Sequence, residues 1–227
     1  MSTRTSRPGG KTQPFGAKGK GKGKPVAPVR VGKDRNWGMI IMLGVVAALA
    51  LAIIGYAAAG VVSKDTRTWD EIAADIEGIV NYRVERPEML TRNHQNGPIT
   101  YEVLPPVGGD HNDTWMYCQG MVYEDPVANE RAVHSLEHGA VWVTYRPDLP
   151  DDQVQRLADR VDGVDYLFMS PFEGLDAPIS LQAWGYQLKV QDADDERIDE
   201  FIRALRYNAR IENATCGGGT TLPGPVS

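Results

Sequence analysis

The longest stretch without a charged residue, Trp37 to Val62, limits the fold more than any other feature of the sequence. As an α-helix it would be about 39 Å long, enough to cross the ~30 Å hydrocarbon core of a bilayer with some tilt. Trp37 and Tyr56 are aromatic residues of the kind found at membrane interfaces. The stretch is also much longer than the ~7–15 apolar residues of a signal peptide. We therefore predict an uncleaved, single-pass transmembrane helix over residues 37–62, with the lipid bilayer as its partner.

The charges on the two sides of this helix differ in sign. Residues 1–36 contain ten Lys and Arg against one acid, Asp34, whereas the whole chain carries −6, so the remainder carries −6 − 9 = −15. The basic segment has too few apolar residues to fold, and basic flanks favour the cytoplasm. We expect a disordered cytoplasmic arm over 1–36 and a cell-membrane protein whose C-terminal domain is extracellular. Because the transmembrane helix follows directly, topology explains the arm better than nucleic-acid binding, which we do not expect.

The remaining chain is predicted to contain three segments. Residues 63–98 are interpreted as a juxtamembrane helix and an irregular linker, because Thr68-Trp69-Asp70-Glu71 has the form of a capping box and apolar residues then recur at helical spacing up to Val80. An extracytoplasmic domain is predicted over residues 99–216. A flexible tail is predicted over residues 217–227.

The hydrophobic pattern of the predicted domain alternates between strands and helices. Strands are predicted at residues 99–103, 141–145, 165–169 and 179–184, with 185–190 extending or pairing with the last of them. Helices are predicted to begin near Asp151 and near Asp194, with their apolar residues on one face. The β-α-β-β-α order indicates an α+β domain, of which a ferredoxin-like sandwich is one form.

The chain has two cysteines, Cys118 and Cys216. In a domain that faces an oxidising compartment two cysteines usually pair, so we predict a disulfide that fixes the C-terminal end of the domain. A thiolate metal ligand or a nucleophile is the alternative. The distance between the two residues in the sequence favours the disulfide.

All four histidines lie close together in the sequence, between His94 and His138. His134 and His138 are four residues apart, so on a helical turn they share a face, and His94 and His111 lie in loops just upstream. Neutral imidazole suits zinc and copper, so this set predicts one bound copper or zinc ion. Glu137 could act as a ligand or orient a histidine, and the thioether of Met169 would favour copper(I).

Two other functions compete with metal binding alone. His134-Ser-Leu-Glu137-His138 has the His-x-x-Glu-His form of a zinc hydrolase, in which Glu137 would be the base and Glu212 a further ligand. Gly139 and the β-rich sequence after it argue against the long helix that such an enzyme needs. The second alternative is a metal-free structural or interaction module with an unknown protein partner, in which the histidines only form hydrogen bonds. It agrees with the lack of a phosphate loop or a Gly-x-Ser-x-Gly motif.

Several ordered blocks of the chain are similar to a known family. They are His94, Tyr101, Pro105 to His111, Trp115, Cys118, Val122-Tyr123, Val133 to Tyr145, Met169 to Pro171, Ala183 to Gly185, Gln187-Leu188 and Cys216. Over residues 65–220 the chain resembles the family called domain of unknown function 3105. That resemblance implies a bacterial protein with a basic leader and a single membrane anchor, and it implies no activity. The segment between Trp69 and His94 is longer than the family pattern, and residues 210–215 lack its proline-rich sequence.

Overall fold

The computed structural model describes residue 32, residues 35–62 and residues 67–225, without the side chains of 57–62. The chain divides into two units, residues 1–64 and 65–227. The first contains helix α1, Trp37–Val62, which confirms the helix predicted there. Within the described residues it is the one helix that is long and apolar enough to cross a membrane. The predicted basic arm lies outside the described residues, apart from residues 32, 35 and 36.

The second unit is a mixed α+β domain, as predicted. Its elements in chain order are α2 (Trp69–Ala74), β1 (Val80–Asn81), α3 (Tyr82–Glu85), β2 (Gln119–Val122), α4 (Asn129–Glu137), β3 (Val141–Tyr145), α5 (Asp151–Val161), β4 (Leu167–Pro171), β5 (Ile179–Ala183), β6 (Tyr186–Val190) and α6 (Glu196–Leu205). The strands form one six-stranded sheet in the order β1-β6-β5-β3-β4-β2.

The direction of the strands shows how the sheet is built. β3, α5 and β4 form a βαβ unit whose strands are direct parallel neighbours, and β2 adds to β4 in parallel. β5 pairs antiparallel with β3, and β6 pairs antiparallel with β5 through the turn at Trp184-Gly185. In a ferredoxin-like sandwich the βαβ unit is split by another strand. The α+β class is therefore confirmed, whereas the strand order differs from the ferredoxin-like form.

Each face of the sheet carries its own hydrophobic core. Since successive side chains of a strand point to opposite faces, Leu167 and Met169 enter one core and Phe168 enters the other. The first core, which we call the α5/α6 core, contains the apolar stripes of those two helices. The second contains Leu136 of α4 and both cysteines, and we call it the α4 core. The predicted functional residues of α4 therefore lie on one side of the sheet.

Three sequence-based boundaries were wrong for local reasons. The helix predicted over 69–80 ends at Ala74, and it could not have reached residue 80, because Gly78 has a φ of 80° that a right-handed helix does not allow. Residues 99–103 are not a strand, since the backbone N–H of Ile99 donates to the Glu130 carboxylate at 2.8 Å rather than to another strand. β4 begins at Leu167 instead of Asp165, because Tyr166 has a φ of 61°.

The domain is longer at both ends than the predicted range of 99–216. At the N-terminal end, β1 pairs with β6, and Ala73 and Ile76 pack in the α5/α6 core. At the C-terminal end, the backbone N–H of Thr220 donates to the Trp115 carbonyl at 2.9 Å. The predicted linker and the first part of the predicted tail are thus integral to the fold.

Candidate metal centre

The loop that follows α6 is fixed against the α4 core by a disulfide. Cys118 and Cys216 are bonded to each other, with their Cα atoms 5.0 Å apart and a separation of 98 positions in the sequence. Both cysteines are buried. The predicted pairing is confirmed, and neither thiolate is available as a metal ligand.

Helix α4 presents two of the four histidines. His134 lies in its last turn and His138 caps its C-terminus, so the rings meet edge to face one turn apart, with their centroids separated by 4.6 Å. Gly139 stops the helix with a φ of 100°, and a Cβ atom there would lie 2.8 Å from Cβ of Arg210. The helix is thus longer than the predicted single turn, and it ends where the glycine predicts.

The other two histidines reach the same place through paired loops. His94 and His111 form a parallel bridge, in which Gln95 N donates to the His111 carbonyl at 2.8 Å and His111 N donates to the Asn93 carbonyl at 3.0 Å. As a result the ring centroids of His94 and His111 are 4.8 Å apart, and both lie within 4.9 Å of the His134 ring. Three imidazoles from separate segments therefore form a nearly equilateral triangle.

Glu137 completes this set. His94, His111, His134 and Glu137 each offer one ligand atom, and these atoms all lie within 4.8 Å of one another. We call these four residues the inner set. His111, His134 and Glu137 are buried, whereas 43% of the His94 side chain is exposed. The inner set therefore has one side open to solvent.

The hydrogen bonds of the three rings determine which nitrogen is left for an ion. Nδ1 of His111 lies 2.8 Å from the Gly109 carbonyl oxygen, and Nδ1 of His134 lies 2.6 Å from that of Asn112. A carbonyl oxygen can only accept, so in both rings Nδ1 carries the hydrogen and Nε2 has the free lone pair. Nδ1 of His94 lies 3.0 Å from Oδ1 of Asp113, which leaves its Nε2 free in the same way.

Burial and charge act in opposite directions on His111 and Glu137. Burial opposes the charged form of His111, but the Glu137 carboxylate, whose Oε2 is 3.0 Å from Nε2, outweighs burial and raises the pKa of His111. In Glu137 burial favours the neutral acid, and the nearby imidazoles outweigh it and lower the pKa. Nε2 of His111 is nevertheless buried without a well-aligned hydrogen bond. The pair thus holds a negative charge beside a poorly satisfied ring nitrogen.

The two histidines of α4 are kept neutral. Burial lowers the pKa of His134 to about 4. Burial also lowers the pKa of His138, against the opposing charges of Glu212 and Glu137. The Trp115 ring packs on both imidazoles, at centroid distances of 5.4 Å from His134 and 4.8 Å from His138. Neutral imidazole is the form that binds a metal ion.

A second set of possible ligands adjoins the first. His134, His138 and Glu212 also offer ligand atoms within 4.8 Å of one another, and we call them the outer set. These are the ligands of the hydrolase hypothesis, in which Glu137 would be the base. In the structure the Glu137 carboxylate faces His111 instead.

Met169 does not join the histidines. It packs in the α5/α6 core, on the opposite face of the sheet from α4. The prediction of a thioether ligand for copper(I) is therefore wrong.

The groups that bind Nδ1 of the histidines were missed by sequence reasoning, because two of them are backbone carbonyls, of Gly109 and Asn112, that no side-chain pattern reveals. The third partner, Asp113, could have been found from the sequence, because it is an acidic side chain two residues after His111.

A family model described as "Protein of unknown function (DUF3105)" matches residues 93–218, which is more than half of the chain. The match begins one residue before His94 and ends after Cys216, so it includes both ligand sets and the disulfide. No curated protein and no solved structure is similar enough to match the chain.

Proposed function

This chain belongs to the DUF3105 family, whose description names no function, and we propose that its domain binds one divalent transition-metal ion through the inner set. The observation that carries the proposal is the common state of the three rings. His94, His111 and His134 each place Nδ1 against a carbonyl or carboxylate oxygen, so Nε2 is the nitrogen left for an ion, and in His111 it faces the Glu137 carboxylate. Histidines that bind metals are almost always oriented in this way.

The donor set favours zinc(II) or copper(II) over copper(I). Three imidazole nitrogens and one carboxylate oxygen make a complete four-ligand shell for zinc, and imidazole also suits copper(II). Copper(I) prefers soft sulfur ligands, and the cysteines and Met169 supply none here, because both cysteines form the disulfide and Met169 is in the other core.

The charges of the site support the same proposal. An ion would replace the proton of the His111 and Glu137 pair and would find His134 already neutral. A metal-free module is the second candidate, and the hydrogen bonds of the three Nδ1 atoms also agree with it. The convergence of the rings favours the metal, because imidazoles that only formed separate hydrogen bonds would have no need to bring their ligand atoms, with that of Glu137, within 4.8 Å of one another.

We further propose that α1 anchors this domain outside the cell membrane, with the N-terminus in the cytoplasm. The basic residues before Trp37 and the acidic chain after it agree with the positive-inside rule. The disulfide agrees with an oxidising compartment. Accessibility of an introduced cysteine at Thr3 and of one at Ser227 to a membrane-impermeant thiol reagent on intact cells tests this orientation. The reagent is expected to label position 227 and not position 3.

The metal is tested with the full chain, purified in detergent without a His tag and loaded with zinc(II) or copper(II). Mass spectrometry of the metal content is expected to give one ion per chain. His111→Ala should abolish binding, and Asp113→Ala, which removes the acceptor of the His94 Nδ1–H group, should weaken it by about 10–100-fold. Glu173→Gln is the matched control, since Glu173 is exposed and belongs to neither ligand set. Metal contents well below one per chain for both ions would leave the metal-free module.

A further inference from the structure

We infer that the outer set is the position through which the ion exchanges with the surroundings, and that His134 transfers it to the inner set. This inference rests on the proposed metal binding. It concerns His138 and Glu212, which do not belong to the inner set. The species that they would bind is a hydrated divalent cation.

The two sets share one ligand. His134 belongs to both, and its Nδ1 is occupied by the Asn112 carbonyl at 2.6 Å. One free lone pair remains on Nε2, so His134 can bind an ion in one set at a time. The inner and outer sets are therefore alternative positions for a single ion and not two independent sites.

The exposure of the ligands gives the two positions different roles. In the inner set His111 is completely buried, and 3% of the Glu137 side chain is exposed. In the outer set 50% of the Glu212 side chain is exposed, while His138 is almost completely buried. A solvent-exposed carboxylate attracts a hydrated cation and can replace one of its waters, and the neighbouring imidazoles replace others. The outer set thus connects solvent to the buried ligands.

Backbone contacts hold Glu212 in this place. The backbone N–H groups of Ile211 and Glu212 both donate to the Glu137 carbonyl, at 2.9 and 3.2 Å. The carboxylate of Glu212 then lies 3.7 Å from Nε2 of His138. Because the residue that supplies the inner carboxylate also positions the outer one, the two sets are parts of one structure. Glu212 is therefore not an isolated acidic residue on the surface.

The exposed His94 is the other side from which an ion could enter. Its Nδ1 is held by Asp113, and its remaining nitrogen is itself an inner ligand. An ion that entered beside His94 would bind the inner set directly. The position of His138 and Glu212 next to His134 would then have no function in binding. The experiment therefore compares variants on both sides.

The test uses the full chain in detergent. Rapid mixing of the zinc-loaded chain with 4-(2-pyridylazo)resorcinol follows zinc release, and rapid mixing of the zinc-free chain with zinc(II), with the same dye added after a set delay, follows association. Glu212→Gln and His138→Asn are expected to slow both association and release by about tenfold or more, since each removes a ligand from the transfer step. Because an entry position changes both rate constants by the same factor, the ratio that defines Kd should change far less than either rate. Glu173→Gln is the control and should exchange like the wild type.

Several results would overturn the inference. Exchange rates of Glu212→Gln equal to those of the wild type would exclude the outer set as the entry position, and because Glu212 is half exposed this variant is expected to fold. Two zinc ions per wild-type chain would show independent sites. Slower exchange in Asp113→Ala without an effect of Glu212→Gln would place entry at His94. A wild-type chain that binds no zinc would instead refute the proposed function itself.

Discussion

The neutral state of His134 predicts how the metal-free domain loses stability in acid. The His134 side chain is 4% exposed, and burial lowers its pKa to about 4 from the ordinary 6.5. When pH falls below 6.5, the unfolded chain binds a proton at this residue and the folded chain does not. The contribution of His134 to stability is therefore fully present above pH 6.5 and is lost as pH falls toward 4.

The size of the effect follows from the two pKa values. Proton linkage with 6.5 in the unfolded state and about 4 in the folded state gives a loss of about 1.8 kcal/mol between pH 7 and pH 5 from His134 alone. The raised pKa of His111 acts in the opposite direction, since protonation of that residue is favoured in the folded state. A variant at position 134 is therefore needed to isolate this contribution.

The matched variant is His134→Asn, which keeps an N–H donor near Nδ1 for the Asn112 carbonyl and removes the titration. Urea unfolding of residues 65–227 is measured in chelator at several pH values between 5 and 7, with the buried Trp142 and Trp184 as fluorescent reporters. We expect the wild type to lose about 1.8 kcal/mol more than the variant over this range. Equal losses in both proteins would refute the assignment of a neutral, buried His134.

Two further predictions concern stability. Replacement of Cys118 and Cys216 by Ala opens a loop whose ends are 98 positions apart. For a loop of this size the chain-entropy model gives a loss of about 4.7 kcal/mol of unfolding free energy. Denaturant unfolding measures this loss, and a value below about 1 kcal/mol would contradict the entropic mechanism. Gly120→Ala should cost about 3–5 kcal/mol, because its Cβ would lie 2.2 Å from the backbone nitrogen of Gly163. Gly163→Ala is the matched control with a similar φ and free space, and it should cost about 1–2 kcal/mol; equal losses would exclude the steric explanation.

Periodicity in the sequence predicted the elements whose apolar residues face one core. Helices α5 and α6 were found where expected because each has an apolar stripe, and strand β3 was found because it is an almost continuous apolar run. β1 and α3 were missed, since tertiary contacts define them. Arg83, for example, donates to the Trp184 carbonyl at 2.9 Å and packs over the Trp69 and Tyr186 rings. No local pattern in the sequence encodes those contacts.

The candidate site was predictable in its residue types and not in its geometry. The clustering of the four histidines and the spacing of His134 and His138 predicted a shared location, and the structure brings the rings together. Met169 was misassigned because both faces of the sheet are covered. In such a sheet both Phe168 and Met169 are buried, so the alternation of residues does not show which face a side chain joins.

The two outermost strands have a practical consequence for work with shortened chains. Val80–Asn81 and Gln119–Val122 are only two and four residues long, and they cover the longer strands inside them. A fragment that starts at residue 99 would lack the first of these and would expose the main-chain groups of Tyr186 and Gln187, which that strand pairs. Unpaired main-chain groups at the edge of a sheet form hydrogen bonds with strands of other chains. The fragment from residue 99 should therefore self-associate, whereas one that starts at residue 65 should stay monodisperse.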